Sequence, residues 1–397
     1  MRISTSAIHQ NAVSAMLTQQ AQLAKTQNQV STGKRVLTPS DDPVAAVHIM
    51  ELQRALQQST QYTKNAGAAG DRLSLEEQAI ADISNVMQRV REQTLEANNG
   101  TVDADSRKLI ATELRQRLDE LVNIANRRDS NGEYLFSGFS TSTQPFSQTA
   151  SGITYSGDQG SRSLQIGPTQ TINDSDSGFA LFMNVKQGNG TFVLGGSTSN
   201  TGSAVLGASS VVDPSAWTPD DYTLTFTSAT GDYQIVDSSA NVVTTGTYSQ
   251  GDTIQFNGIK FEMSGMPAQN DTFTISRSRK EDVFTTMQGL IDSLEGTSAT
   301  TESQFSTNMS VALQQIDQID SHTLQVRAQV GTRLSELDSV KDSLDQQQLD
   351  LKQSTSDLQD LDYTEAVTRM NQQLIGLQAA QSAYAKISQL SLFDYLR

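Results

Sequence analysis

Histidines are the side chains of this sequence best suited to catalysis or metal binding, and their spacing argues against both. The three histidines, His9, His48 and His322, stand in separate stretches with helical periodicity. Catalytic and metal-binding histidines act with a second ligand or base, and none of the three has a companion at metal-ligand spacing. The pattern therefore favours surface histidines and predicts no metal site.

Two acidic clusters have simpler explanations than chemistry. The segment from Asp174 to Gly178 begins like a calcium-binding loop, but it lacks an oxygen ligand at its fifth position and a later carboxylate. We interpret it as a turn. The second cluster, Asp41 and Asp42, stands directly before Pro43. Because aspartate caps helices and proline fits the first helical position, this cluster predicts a helix start with Asp42 as N-cap.

Glycine-rich stretches do not add a catalytic motif. Gly188 to Gly190 predicts a turn rather than a phosphate cradle, because no parallel strand feeds a helix there. With no nucleophile beside a base, we predict a protein that is not an enzyme and that needs no cofactor or metal. Sequence spacing does not detect a nucleophile and a base that only the fold brings together.

Composition excludes several further classes. A formal charge of −16 over 397 residues argues against nucleic-acid binding, because little of the surface would attract phosphate. The chain has no cysteine, so it forms no disulfide and no thiolate metal site. No stretch approaches the length of a membrane span, and the first residues lack the apolar core of a signal peptide. We expect any export to leave the chain uncleaved.

The last stretch of the chain, 362–397, predicts one helix with an apolar stripe. Asp362 is placed to cap its start, and Glu365 follows at the spacing of a capping box. The stripe recurs at steps of three or four residues; its members are Val367, Met370, Leu374, Leu377, Ala380, Tyr384, Ile387 and Leu390, with Phe393 beyond them. The polar face has as many acidic as basic residues, which favours packing on other helices over binding an anionic membrane.

Residues 5–32 carry a second apolar seam. Its members recur every seven residues, which is typical of a weak coiled coil; they are His9, Met16, Leu23 and Val30, with Val13, Gln20 and Gln27 expected at the intervening positions. An ordinary surface helix is the alternative interpretation. Gly33 is expected to end this helix.

Between these seams the sequence changes from helical periodicity to the alternating pattern of β-strands, and then back to helical periodicity. Helical periodicity covers 44–63, 72–98, 105–128, 283–294 and 305–358, with a looser stretch at 65–70 and a weak point at Gly331. Alternating segments predict strands at 222–226, 233–236, 254–256, 259–261 and 273–275. Asn257 and Gly258 predict a tight hairpin turn between two of them. We expect the strands to form a small sandwich or open barrel.

The predicted fold is therefore mainly α with a β insert. The N- and C-terminal parts form a long antiparallel helical bundle or coiled coil, and an antiparallel β domain lies in the middle of the chain. We expect three domains: a terminal helical assembly domain of 1–45 with 362–397, a helical rod domain with a β-hairpin of 46–172 with 281–361, and an outer β domain of 173–280.

Several motifs in these elements resemble the flagellin superfamily. The run from Ser31 to Val36 and the run from Pro39 to Pro43 are similar to its N-terminal motif, in the form typical of hook-associated proteins. The segment from 87–92 through 98–100 resembles the next flagellin-like helix. Further motifs are similar to the hook–filament junction proteins rather than to flagellin; they lie at 131–138, 145–146, 333–334 and 390–393. The resemblance covers the helical two-thirds of the chain, and the strands resemble a β module of hook-associated proteins.

The resemblance implies a structural adaptor with defined partners. These would be the first hook-associated protein, flagellin, other copies of the chain in a ring, and a FlgN-like export chaperone that holds the C-terminal region. It also implies export of the unfolded chain through the flagellar type III apparatus. The two terminal seams would then be assembly and chaperone surfaces.

Two other functions stay open at this point. The first is flagellin itself, the subunit of the filament. The second is a secreted enzyme or sugar-binding module in the β insert, which only the size of the insert supports.

Overall fold

A computed structural model of the chain describes residues 5–150, 152–296 and 301–389. The fold contains two compact units. The terminal unit consists of residues up to Lys64 together with those from Val340, and the central unit runs from Asn65 to Ser339. The three-part division expected from the sequence stays a prediction.

Six α-helices are described. They are α1 (Thr5–Thr32), α2 (Pro43–Ala97), α3 (Ala104–Ala125), α4 (Val283–Leu294), α5 (Glu302–Gln359) and α6 (Tyr363–Gln389). The expected cap of α2 is confirmed, because Asp42 Oδ1 accepts the N–H of Ala45 at 3.0 Å and Pro43 is the first helical residue. Asp362 caps α6 by accepting the N–H of Thr364 at 2.8 Å. None of the described helices combines the length and apolar character needed to cross a membrane.

The looser stretch expected at 65–70 is wrong, because α2 passes through it without a break. Ala66 and Ala69 are fully buried, so small side chains here allow close packing. Packing on an apolar face supplies most of the stability of a helix in a protein and outweighs the low helix propensity of Gly67. Gly331 likewise lies inside an unbroken α5.

Fourteen short strands are described in the middle of the chain, each paired antiparallel. They are β1 (Phe146–Thr149), β2 (Gly152–Tyr155), β3 (Ser163–Gln165), β4 (Thr171–Asn173), β5 (Val185–Lys186), β6 (Phe192–Gly196), β7 (Val205–Val211), β8 (Tyr222–Phe226), β9 (Asp232–Val236), β10 (Val242–Thr247), β11 (Thr253–Phe256), β12 (Ile259–Ser264), β13 (Thr272–Arg277) and β14 (Lys280–Glu281).

Two sheets share one core and form the predicted sandwich. One sheet has five strands in the order β10-β9-β8-β13-β6, and the other has three in the order β11-β12-β7. Their inward side chains include Phe226, Phe261 and Phe273, each no more than 2% exposed. Asn257 and Gly258, with φ of +43° and +75°, join β11 to β12 in the expected hairpin. The mainly α fold with a β insert is confirmed.

Three strands of the sandwich were missed in the sequence. These strands, β6, β7 and β10, contain glycine, serine or threonine where a strand pattern shows apolar side chains. Their place in the sheet is set by backbone pairing with β13, β12 and β9. Such pairing leaves no trace in a hydropathy pattern.

We predict that Phe261→Ala lowers the free energy of unfolding of the sandwich by about 3–5 kcal/mol, because it leaves a cavity in the core. Trp217 is the single tryptophan of the chain and packs against Phe192 and Tyr222, with ring centroids 5.6 and 5.9 Å away. Urea unfolding followed by tryptophan fluorescence therefore reports on this sandwich. The control Val242→Ala, at a residue 57% exposed, should change stability by less than about 0.5 kcal/mol. Equal effects of the two variants would contradict the core assignment.

Candidate assembly surface on the terminal helices

The terminal unit brings the two seams of the sequence together. Helices α1 and α6 pack side by side in opposite directions: the rings of His9 and Tyr384 meet edge to face at 5.7 Å, and Lys34 pairs antiparallel with Asp360. Between these two contacts, Gln19 lies against Gly376. A Cβ at Gly376 would be 3.1 Å from the Gln19 side-chain nitrogen, so the glycine makes room for the amide.

The inward row of α1 agrees only in part with the sequence. Its heptad members Met16, Leu23 and Val30 are buried or half-buried, as expected. The intervening positions are Ala12, Gln19 and Thr26, which are also buried or half-buried, whereas Val13, Gln20 and Gln27 are exposed. The expected intervening row was therefore wrong by one residue. Heptad spacing alternates between three and four, and glutamine stands in both candidate rows, so polarity could not choose between them.

On α6 the described part of the stripe is half-buried, with one exception. Met370, Leu374, Leu377, Ala380 and Tyr384 are half-buried, whereas Val367 is 40% exposed and Ala366 beside it is fully buried. A small residue at Ala366 permits close helix packing there. Ile387 lies within α6 but its side chain is not described, and Leu390 and Phe393 lie outside the described residues. The role of these residues in assembly stays a prediction.

Part of the apolar surface of both helices faces away from the pair. Leu17 and Ile375 are 61% and 66% exposed, and Val13 and Val367 about 40%. We call these four residues the outer apolar face. On α1, Val13 and Leu17 line an open groove together with His9, Ser14 and Ala21. Val13 and Leu17 lie one turn apart on α1, and exposed aliphatic side chains that line one groove mark a surface that can be buried against another protein.

A tight corner after α1 aligns the pair. Gly33 has φ of +72°, a conformation that glycine adopts without steric cost. Its N–H donates to the Gln29 carbonyl at 2.9 Å, and its own carbonyl accepts the N–H of Leu361 at 3.0 Å. The Arg35 N–H donates to the Gln359 carbonyl at 2.7 Å. The corner therefore links the end of α1 to the connection between α5 and α6.

Asp42 caps α2 as expected, whereas Asp41 secures the corner before that helix. Asp41 forms an ion pair with Lys25 at 2.7 Å. It also accepts hydrogen bonds from the backbone N–H groups of Thr38 and Leu37, at 2.9 and 3.0 Å. These donors, Lys25 first, hold the pKa of Asp41 well below its usual range. A lowered pKa stabilises the fold above the unfolded-state value, and that contribution is lost as the pH falls through the folded pKa.

The remaining candidate residues for chemistry stay apart. His48 lies 3.5 Å from Glu51, and His322 Nε2 donates to the Ala180 carbonyl at 2.9 Å. Within the described ranges, no three His, Asp or Glu side chains are grouped so that they could hold a metal ion. In the segment from Asp174 to Gly178, the carboxylate of Asp174 forms an ion pair with Arg162 at 2.6 Å. This carboxylate is therefore engaged by an arginine.

A buried charge network in the central unit was missed in the sequence. Arg72 donates to Asp129 at 2.8 Å, to Glu133 at 3.3 Å and to the Tyr134 carbonyl at 2.9 Å. The motif at 131–138 therefore serves to fix the turn after α3 against α2. Arg72 stands next to Asp71 in the sequence and gives no sign of burial there, and its partners are about sixty residues away.

Family comparisons assign both ends of the chain to one class. The model of the bacterial flagellin N-terminal helical region matches residues 3–141, and that of the flagellin C-terminal helical region matches residues 298–396. The D2-like domain of flagellar hook-associated protein 1 matches residues 196–277, within the β sandwich. The antiparallel terminal helices are thus those of a flagellin-like protein.

Comparison with individual relatives identifies the family of this chain within the flagellin-like class. Flagellar hook-associated protein 3 of Escherichia coli K12 is 28% identical over 394 residues, 99% of each chain. Its Salmonella typhimurium counterpart is 36% identical over 185 residues, 47% of this chain and 58% of that one. A crystal structure of Xanthomonas campestris FlgL is 32% identical with a TM-score of 0.70, covering 77% of this chain and 99% of that one. A crystal structure of flagellar hook-associated protein 3 from Legionella pneumophila is 29% identical with a TM-score of 0.74, covering 78% of this chain and 98% of that one. The chain belongs to the FlgL family, that of flagellar hook-associated protein 3.

We predict that Gly33→Ala loosens the α1–α6 pair. The left-handed conformation costs an alanine about 1–2 kcal/mol, and the new Cβ would lie 2.9 Å from the Tyr363 hydroxyl. Amide hydrogen exchange in α1 should therefore become about 5–30 times faster. Gly331→Ala is the matched control: this glycine is inside α5 with open space around its Cβ position, so α1 exchange should not change. Unaltered α1 protection in Gly33→Ala would refute the role of the corner.

Proposed function

We propose that this protein is the adaptor that joins the flagellar hook to the filament. It contacts the first hook-associated protein on one side and flagellin on the other, with copies of itself beside it in a ring. Similarity to hook-associated protein 3 along 99% of both chains supports this role. The observation that carries the proposal is the outer apolar face on α1 and α6.

The outer apolar face fits contacts between unlike surfaces. Burying an exposed leucine or isoleucine contributes about 1.5–3 kcal/mol, so Leu17 and Ile375 favour a partner that covers them. A head-to-tail contact between different surfaces builds rings or open helical assemblies. The same kind of contact can therefore serve copies of this chain and the proteins on either side of it.

The inner faces of α1 and α6 suit a chain that changes partners. Polar Gln19 and Thr26 interrupt the apolar row of α1, so the pair has a thin seam. We propose that a FlgN-like chaperone holds the α6 face, including Met370, Leu374 and Leu377, before export. The chain would then pass unfolded and uncleaved through the flagellar type III apparatus and act outside the cell, in the flagellum.

The two alternative functions have less support. Relatives named flagellin match over 118 residues, which is 30% of this chain and 23% of theirs. The β domain matches a domain of hook-associated protein 1, a flagellar protein, which disfavours a separate enzyme or sugar-binding module there. We therefore propose a non-enzymatic structural role for the whole chain.

Deletion of the gene tests the adaptor role. We expect the cells to build hooks of normal length but no filaments, with flagellin accumulating unassembled in the medium. A plasmid copy of the gene should restore swimming. Filaments that still grow on the hooks of the deletion strain would overturn the proposal.

The outer apolar face can be tested without opening the α1–α6 pair. Val13→Glu with Leu17→Glu should leave secretion at the wild-type level and prevent filament attachment, because an unpaired charge is costly to bury in a contact. Gln22→Glu with Gln27→Glu is the matched control, since it adds the same charge to exposed polar positions of the same helix. Attachment should be scored by electron microscopy, and secretion by immunoblot of the medium. Normal filaments in the Val13 and Leu17 variant would exclude this face from assembly.

A further inference from the structure

One carboxyl group in the central unit is buried without a basic partner of its own. Glu76 of α2 is fully buried. Its Oε1 accepts the backbone N–H of Asp176 at 3.1 Å, and its Oε2 receives no hydrogen bond from the described residues. A buried carboxylate is stable only when donors or cations satisfy both of its oxygens. Oε2 of Glu76 therefore lacks the hydrogen-bond donor or cation that an ionised carboxylate needs.

The group facing Glu76 is itself acidic. Asp176 belongs to the segment from Asp174 to Gly178, which we call the latch segment. The Asp176 carboxylate is held by the guanidinium of Arg333 on α5, which also donates to the Asn173 carbonyl at 3.4 Å. One arginine thus faces two carboxyl groups, and it is bonded to Asp176 rather than to Glu76.

The other charged groups nearby are already engaged. Arg72, one turn earlier on α2, is bound by Asp129 and Glu133. Within the latch segment, Asp174 is bound by Arg162 at 2.6 Å. On α5, His322 donates its Nε2–H to the Ala180 carbonyl at 2.9 Å, a bond that both the neutral and the charged ring can make. None of these groups is free to neutralise a Glu76 carboxylate.

We propose that Glu76 carries a proton in the folded protein and shares it with the Asp176 carboxylate, so that the Glu76–Asp176–Arg333 cluster is a proton-dependent latch. In the closed state it holds the latch segment against α2 and α5. Loss of the proton leaves two carboxylates facing one guanidinium, and the repulsion opens the segment. The latch segment leads through a π-helical turn at Phe179–Met183 into β5, so opening exposes this part of the central unit.

The electrostatics of the site give the direction of the pH dependence. Burial raises the pKa of Glu76 well above its usual range, the Asp176 charge raises it further, and Arg333 opposes the rise. A group with a raised folded-state pKa contributes its full stabilisation below the unfolded-state pKa. That stabilisation is lost as the pH rises through the folded-state pKa. The latch is therefore closed in acid and opens toward alkaline pH.

Glu76→Gln separates the proton from the shape of the side chain, because glutamine is neutral at every pH and has nearly the same volume. The full-length protein should be compared by hydrogen exchange in peptides covering residues 174–183, from mildly acidic to alkaline pH. The ratio of wild-type to variant exchange rates cancels the intrinsic pH dependence of exchange. We expect this ratio to rise by up to tenfold per pH unit between the open-state pKa and the raised folded-state pKa of Glu76, and to level off above the folded-state pKa. A ratio that stays constant across the range would overturn the latch.

A neighbouring residue and an independent measurement complete the test. Glu77→Gln removes the adjacent glutamate, which is partly exposed and bound by Arg327 at 2.7 Å, and it should retain the wild-type pH profile. At the mildly acidic end of the same pH range, infrared spectra of the wild type should contain the C=O band of a protonated carboxyl group that is missing in Glu76→Gln. A wild-type spectrum without the band would refute the shared proton even if the variant folded poorly.

Discussion

Long helices in water need partners along their length, and this requirement governs the whole chain. Helices α2 and α5 have 55 and 58 residues, and neither has the composition to stand alone. Within the central unit, ion pairs between Arg91 and Asp317 and between Glu77 and Arg327, each 2.7 Å, join the two helices. In the terminal unit, Gln348 donates to Thr63 at 2.9 Å. Polar pairs therefore set the register, and thin apolar seams supply the attraction.

The terminal helices meet the same requirement with weaker means. Among the described residues of α1, Leu23 is a buried aliphatic side chain, and the helix otherwise relies on half-buried or polar side chains. The corner around Gly33 and Asp41 compensates, because hydrogen bonds and an ion pair fix the starting point from which α1 and α6 align. A purely apolar pair would be more stable and would depend less on this corner.

Periodicity predicted the helices well, because the apolar stripes of α5 and α6 are long. It predicted five strands of the sandwich where apolar residues alternate, and it missed β6, β7 and β10, whose placement depends on pairing with distant strands. The surface was harder to predict. The intervening row of α1 was off by one residue because Gln19 and Gln20 are equally polar, and only the approach of Gly376 favours the first. Nothing in the sequence distinguishes Glu76 from an exposed glutamate, since Asp176 lies one hundred residues away in sequence.

The mixed composition of the α1–α6 seam has a thermal consequence. Exposing apolar surface raises the heat capacity, whereas exposing polar surface lowers it. When α1 leaves α6, the contributions of Leu23 and Met16 are offset by those of Gln19, Thr26 and Gln29. The heat-capacity change of undocking is therefore small, so its free energy changes almost linearly with temperature and lacks the curvature of a purely apolar interface. A helix pair built on such a seam is weakened less by cooling than a purely apolar pair would be.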